Sequence, residues 1–293
     1  MRGRLKQSVA ASVILYNPTG TVRENVLSYI NDVHRLYVLD NSREVNTDLL
    51  TYFDPRKVEY IYNGCNVGVA RALNVAIGRA ITDGYQYLFT FDQDSHASAS
   101  MIRNMIEFIE KTDCSKIGVI SAFHNNKGYK KPDQVKLVNE RLCIATSGNI
   151  LNLRVAEMAG GFDEKLFIDY VDIEYCLRIN SLGYRVIELN NAVLEHNLGQ
   201  LEEKKLFGKK IAVTHHSAER LYFRTRNRLH VSRRYFRCFK RYCLRVLVLI
   251  GKDVIKICLF EKNRLSKMGL MAKGIFDFKR NRFGNPFRDG NGC

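Results

Sequence analysis

Apolar and polar positions follow two different periods along the first two thirds of the chain. Residues 9–16, 35–39, 58–62, 87–91 and 116–122 are short, mostly apolar runs rich in β-branched and aromatic side chains. That pattern predicts strands buried on both faces. Between them, residues 22–32, 69–82 and 98–111 repeat their apolar positions every three to four residues, which predicts helices. Alternation of strand and helix predicts an α/β fold with a mostly parallel central sheet flanked by helices. Residues 160–198 open on a Gly-Gly turn, pass through an acidic helix-like stretch and close on a short strand at 184–189. From about Leu201 onward the pattern reads as helical.

In sheets of this kind ligands gather beyond the carboxyl ends of the strands. The polar residues ending the predicted strands are Asn17, Asp40 with Asn41, Asn63 with Asn66, and Asp92 with Asp94. Their shared location is the first argument for a site.

Charge changes this picture only in the last third. Residues 1–200 carry 22 Lys/Arg against 23 Asp/Glu, whereas residues 201–293 carry 24 against 7, so the whole excess of +16 sits there. We therefore read 1–200 as one domain, with halves at about 1–95 and about 96–200, and 201–293 as a basic, mainly helical region. A basic region implies an anionic partner: a phospholipid surface, a pyrophosphate-bearing substrate or nucleic acid. A merely solvated face is the alternative, but Tyr222, Phe223, Tyr235, Phe236, Phe239 and Tyr242 are interleaved with the charge and favour an interface. Residues 242–260 are apolar but interrupted by Arg245, Lys252, Asp253 and Lys256, which predicts an amphipathic helix and no membrane span. Residues 1–7 are basic without a cleavage site, so no signal peptide is expected. The eight cysteines lack metal-type CxxC spacing and read as reduced cytosolic thiols.

Four motifs carry chemistry. In Phe89-Thr90-Phe91-Asp92-Gln93-Asp94-Ser95 an apolar strand delivers two carboxylates. Strand alternation would set Asp92 and Asp94 on one side, where hard oxygens suit Mg²⁺ or Mn²⁺. Read alone, the pair also fits an Asx turn without metal. In Asn66-Val67-Gly68-Val69-Ala70-Arg71-Ala72-Leu73-Asn74, small residues at a helix start would admit a phosphate, although such turns are common in α/β proteins. In Phe167-Ile168-Asp169-Tyr170-Val171-Asp172-Ile173-Glu174, three acids stand among large apolar residues, as a general base requires; acids at a helix start are the plainer reading. Last, His196 closes an apolar strand and becomes a metal ligand or phosphate contact only in company with the carboxylate pair.

In this order the motifs resemble inverting glycosyltransferase family 2, most closely its bacterial rhamnosyltransferases. The resemblance runs from about Val9 to Gly199 and more loosely through Tyr222-Phe223-Arg224-Thr225-Arg226-Asn227. It implies a GT-A nucleotide-diphospho-sugar transferase fold with a basic helical C-terminal extension. It also implies donor-binding roles for Asn17, Asp40, Asn66, Gly68, Asn74 and Gln93, with Arg226 and Asn227 closing over the diphosphate. Asp92, Asp94 and His196 correspond to the metal site and Asp172 to the catalytic base. Ser147 and Gly148, in Thr146-Ser147-Gly148-Asn149, flank the reacting sugar. Where many members have Glu-Asp this chain has Val171-Asp172, so Asp169 or Glu174 would supply the missing acid's contacts.

The implied reaction is inverting transfer of a sugar to a glycan or lipid-linked glycan in bacterial surface polysaccharide synthesis. L-Rhamnose from dTDP-rhamnose is the implied donor, with galactofuranose or another hexose as alternative. The implied location is cytoplasmic, on the inner face of an anionic membrane, with no nucleic acid partner expected. Two rivals remain in the residues themselves. A nucleotidyltransferase would want a basic Gly-rich loop near the N-terminus, which Tyr16-Asn17-Pro18-Thr19-Gly20 is not. A nucleic-acid-binding module would use the basic residues from Arg220 to Arg245 but leaves the acids without a purpose.

Overall fold

The computed structural model describes residues 9–18, 20–126, 136–196, 201–206, 209–214 and 216–287. The basic start at 1–7 and the 197–199 end of the histidine motif lie outside them. The chain forms two compact units, one from Met1–Asp163 with Asp172–Asn197, the other from Glu164–Val171 with Leu198–Gly292.

Among the described residues the first unit has nine strands: β1 (Val9–Leu15), β2 (Arg35–Asp40), β3 (Val58–Tyr62), β4 (Tyr87–Asp92), β5 (Ser95–Ala97), β6 (Ile117–Asn126), β7 (Val138–Glu140), β8 (Asn149–Asn152) and β9 (Arg185–His196). They join in the order β3-β2-β1-β4-β8-β6-β9-β5, with β7 also on β9. The half containing β3, β2, β1 and β4 is parallel throughout. Beyond β4 the sheet is mixed: β8 runs antiparallel to both β4 and β6, while β6 and β9 are parallel. The nearly all-apolar β1, Val-Ala-Ala-Ser-Val-Ile-Leu, is buried along most of its length because helices cover both faces.

Among the described residues this unit has the helices α1 (Val22–Leu27), α2 (Val69–Thr82), α3 (Met101–Lys111), α4 (Leu153–Ala159) and α5 (Val171–Ser181). Helix α2 buries Ala70, Ala72, Leu73, Ala76, Ile77 and Ala80, a stripe small enough for close packing. Helix α3 sends Met101, Met105 and Ile109 into the core with Phe89 and Ile187. The expected helix over 22–32 is instead α1 and a separate 3-10 turn, Ile30–Asp32, because the Ser28 hydroxyl bonds the Asn25 carbonyl at 2.6 Å and competes with the helix ladder. Strand β8 and helix α4 escape the periodicity analysis, since four strand residues followed at once by a seven-residue helix form no sustained period.

The second unit begins with an antiparallel hairpin, β10 (Leu201–Leu206) and β11 (Lys209–Thr214), where continuous helix was expected. Ile211, Val213 and Thr214 are β-branched and favour strand. Helices α6 (Ala218–Tyr235), α7 (Lys240–Phe260) and α8 (Arg264–Lys279) follow, as expected. Helix α8 packs against α6 at Gly274, where an added Cβ would meet the Tyr222 carbonyl oxygen at 2.7 Å. Among the described residues no helix is long and apolar enough to cross a membrane. Cys114, Cys143, Cys176, Cys238, Cys243 and Cys258 are free thiols. Cys65 departs from the expected reduced state, being disulfide-bonded; an isolated cysteine carries no spacing signature of such a bond.

Candidate active site

Strand β1 lies between β2 and β4, so the chain crosses to one side of β1 and later returns on the other. A crevice opens at such a reversal, beyond the carboxyl ends of the two diverging strands. Asn17 follows β1 there and Asp92 ends β4, with Asp40 at the end of β2 beside them.

The wall over β1–β3 is fastened by its own polar residues. Asn17, in a left-handed conformation with φ 46°, donates its N–H to the Ser42 hydroxyl at 2.8 Å. Asp40 is 0% exposed and accepts from Ser42 N–H at 2.8 Å, Asn46 Nδ2 at 2.9 Å and the Tyr60 hydroxyl at 2.5 Å. Burial by itself raises the Asp40 carboxyl, but the bonds from Ser42, Tyr60 and Asn46 outweigh it and hold its pKa below the ordinary value. Burial, reinforced by Asp40, pushes the Tyr60 hydroxyl up. Asn66 Oδ1 accepts the N–H of Gly68 at 3.0 Å, and Gly68, with φ 87°, caps the start of α2. Asn74 donates to the Phe162 carbonyl at 3.0 Å and accepts the Phe162 N–H at 2.7 Å, tying α2 to the Gly160-Gly161 turn.

The acidic edge differs in one respect from expectation. Strand β4 stops at Asp92, and Gln93 and Asp94 form a turn into β5, so strand alternation does not govern the pair. The ladder ends there because Gln93 is diverted to β1: its Oε1 accepts Tyr16 N–H at 2.8 Å and its Nε2 donates to Tyr16 O at 3.3 Å. Asp92 and Asp94 are both exposed. The Asp92 N–H donates to the Ser147 hydroxyl at 3.1 Å, which lies 2.6 Å from the Ser95 hydroxyl. Gly148 takes φ 72° and donates its N–H to Thr90 O at 2.8 Å; a Cβ there would come within 2.9 Å of Leu194. The β5–β9 register pairs His196 with Ser95, the residue after Asp94, which brings its backbone to this edge; its side chain lies outside those described.

Beneath the acids, the Tyr29 ring stacks on Phe91 at 3.9 Å. Its buried hydroxyl has no hydrogen-bond partner, and burial together with the Asp92 charge raises its pKa. Among the described residues no three His, Cys, Asp or Glu side chains form a metal-holding group. Two solvent-facing carboxylates nonetheless fit Mg²⁺ or Mn²⁺, which take one or two protein carboxylates and complete their shell with substrate phosphates and water.

Asp172 stands in the first turn of α5, half-buried, its Oδ1 accepting the N–H of Ile173 at 2.8 Å. Glu174 points inward instead: it is 0% exposed and pairs with Arg178 at 2.8 Å. Asp169 belongs to the second unit and accepts from Arg220 at 3.2 Å. Arg226 and Asn227, expected to close over a diphosphate, are turned inward and fully buried. Arg226 donates to Gly284 O at 2.7 Å, and Asn227 Nδ2 lies 2.8 Å from each of the carbonyls of Leu166, Ile168 and Asp169. These contacts draw both away from solvent because α6 lies at the centre of the second unit, against both α7 and α8.

The pattern of glycosyl transferase family 2 matches residues 13–167, from β1 to the loop before α5. The chain belongs to that family. RfbF of Shigella flexneri, a dTDP-rhamnosyl transferase, is 26% identical over 237 residues, covering 76% of this chain and 79% of that protein. Solved glycosyltransferases share the fold at low identity. S. aureus TarS superimposes with a TM-score of 0.60 at 13% identity over 94% of this chain, which spans 49% of that structure. GalNAc-T7 with UDP, GalNAc and Mn²⁺ gives 0.59 at 12% over 97%, with 59% of its length covered. TarS 1-349 with UDP-GlcNAc gives 0.55 at 13% over 96%, with 93% covered. The glycosyltransferase thus has the GT-A fold, and the nucleotidyltransferase alternative falls away.

Several residues that shape the candidate site carry no mark in the sequence. Ser42, Asn46 and Tyr60 hold Asp40, and Ser95 joins Ser147. Tyr60 left no local signal, since only the parallel β2–β3 register, where it stands opposite Val38 two residue pairs before the strand-end Asp40, brings the two together. Ser95 had none, because its partner is 52 residues away.

Proposed function

We propose that the glycosyltransferase transfers L-rhamnose from dTDP-rhamnose, with inversion, to a lipid-linked glycan acceptor of bacterial surface polysaccharide, at the cytoplasmic face of the membrane. The observation that carries the catalytic reading is the exposed Asp92/Asp94 pair at the strand reversal, with a carboxylate, Asp172, in the first turn of α5. The RfbF relative supports the donor.

Asp172 takes the proton from an acceptor hydroxyl, which is otherwise a poor nucleophile at neutral pH. The hydroxyl oxygen bonds to the anomeric carbon from the face opposite the diphosphate, and the carbon–oxygen bond to the diphosphate breaks, its electron pair leaving with the nucleotide. Asp92 and Asp94, with His196, would hold a Mg²⁺ or Mn²⁺ that supplies Lewis-acid neutralisation of that leaving charge. The N–H groups at the start of α2, opened by Gly68 and Asn66, favour the donor phosphates. Asn17 and the wall fastened by Asp40 bound the nucleoside side, and Gln93 fixes the spacing of β1 and β4. Ser147 and Gly148 set the backbone at Asp92 from beneath. Asn227 and Arg226 hold the chain leading into α5, where Asp169 is engaged by Arg220, and Glu174 is engaged by Arg178 within α5 itself.

A hexose carried on UDP is the second reading, favoured by the UDP-GlcNAc of the TarS structure and the UDP and GalNAc of the GalNAc-T7 structure. A panel of nucleotide sugars offered to EDTA-treated enzyme, with released nucleotide as readout, separates the two. Turnover with dTDP-rhamnose that needs both acceptor and added Mn²⁺ or Mg²⁺ is expected. Turnover only with UDP-hexoses selects the second reading, and full turnover without any ion removes the role given to Asp92 and Asp94.

A further inference from the structure

Helix α7 is three-sided, and two of its sides face water. One side is core: Cys243, Val246 and Ile257 are buried, and Ile250, Val254 and Ile257 pack with Leu221 of α6 and Met271 of α8. A second side carries Leu244, Leu247, Val248, Ile255 and Leu259, spaced at helical intervals and between 38% and 59% exposed. Exposed Gly251 and Cys258 extend the same stripe. Along its edge, at spacings of four, seven and four, run the basic residues Arg241, Arg245, Lys252 and Lys256. The helix has a single acid, Asp253, and that is bonded inward to Arg228 at 2.5 Å. A row of large aliphatic side chains left in water, flanked on one edge by cations alone, is the surface expected of a helix lying in an anionic lipid interface. A second protein copy would gain nothing from the cationic edge, since both copies would present it.

We propose that α7 docks the enzyme on an anionic bilayer, with Leu244, Leu247, Val248, Ile255 and Leu259 inserted below the headgroups and Arg241, Arg245, Lys252 and Lys256 on lipid phosphates. The inference rests on the membrane location proposed above and adds what that reading lacks, an inserted apolar face in place of general attraction to a basic region.

The absence of tryptophan from the sequence provides a clean probe. Val248→Trp in the full chain is mixed with vesicles of phosphatidylglycerol and phosphatidylcholine, or phosphatidylcholine alone, and its emission followed with brominated lipids. A blue shift and quenching with anionic vesicles only, absent for Met158→Trp on the exposed surface of the first unit, is expected. Val248→Ser/Ile255→Ser should lower vesicle sedimentation several-fold while leaving the helical circular dichroism signal and nucleotide release with a soluble acceptor unchanged. Sedimentation that is released by salt, with an unquenched Val248→Trp and no effect of the serine pair, would overturn insertion while leaving electrostatic docking standing. No sedimentation of wild-type protein with anionic vesicles would remove both. A wild-type dimer in size-exclusion chromatography with light scattering that the serine pair dissociates, without vesicle binding, would assign the stripe to a second copy and overturn the proposal.

Discussion

Asp40 and Asp172 are chemically the same side chain in opposite situations. Asp40 is sealed behind three donors that hold it ionised; Asp172 is half-buried at a helix start. Because the folded pKa of Asp40 is lowered, the unfolded chain binds its proton at higher pH, and stability rises with pH across that interval. Its contribution is therefore complete above the usual aspartate value of about 3.9 and drains away as pH falls through the lower folded value. Asp40→Asn should cost about 2–3 kcal/mol at neutral pH, the scale of hydrogen bonds to a buried charge. Urea unfolding from pH 7 to pH 3 checks this: the gap between variant and parent should narrow at the acid end, and a constant gap would remove the charge from the explanation. Asp172→Asn, in contrast, should lower kcat by about 10²–10⁴-fold with nucleotide affinity unchanged, read by steady-state kinetics beside calorimetric titration. At this scale the acids themselves were legible, since carboxylates at strand ends and a helix start stand out from apolar surroundings. Their partners were not: Tyr60 reaches Asp40 only through the β2–β3 register, which no local pattern reports.

Between residues 166 and 171 the backbone turns sharply before α5 begins, with Phe167 at φ 64°, Asp169 at 60° and Tyr170 at 68°. None is glycine, and each such conformation costs on the order of 1–3 kcal/mol unless the surroundings enforce it. The Asn227 carboxamide supplies that enforcement through the Leu166, Ile168 and Asp169 carbonyls, and Arg226 steadies it with a 3.1 Å bond from Nε to Asn227 Oδ1. Asp172 follows this loop by two residues, so a relaxed loop lets α5 start differently. Since a displacement of about 1 Å in a catalytic group can cost roughly 10²-fold, Asn227→Ala should lower kcat by at least about tenfold while nucleotide affinity holds. Asn227→Gln, which keeps the amide, should recover part of the loss. A variant that only melts at lower temperature, with unchanged kcat below its melting point, would make the clamp purely structural. The diphosphate contacts expected of this pair came from the looser, C-terminal part of the family resemblance, and both side chains are instead buried. That α6 is the central helix of its unit depends on packing by α7 and α8, which lies beyond any periodicity within α6 itself. Helix α2, by contrast, was read correctly from end to end, because its alanine-rich stripe repeats for four turns without interruption.

Over the whole molecule, charge and chemistry occupy different stretches of chain. The strand-end acids and the family pattern fall within residues 13–167, whereas the excess of +16 belongs to residues 201–293. This division was visible in the sequence because counts of charge need no knowledge of folding; the β10–β11 hairpin inside the basic region was not, since two six-residue strands are too short to outweigh the helical pattern after them. The division implies that ionic strength should act on delivery and leave the chemical step nearly alone. Surface attraction weakens as the screening length falls from about 10 Å at 0.1 M salt to about 3 Å at 1 M. Across that range turnover on an acceptor embedded in anionic vesicles should drop several-fold, while turnover on a soluble acceptor analogue changes little. Equal loss with both acceptors would mean that the basic region acts on the phosphates of the substrates themselves, because only then does screening reach a reaction that takes place away from any bilayer.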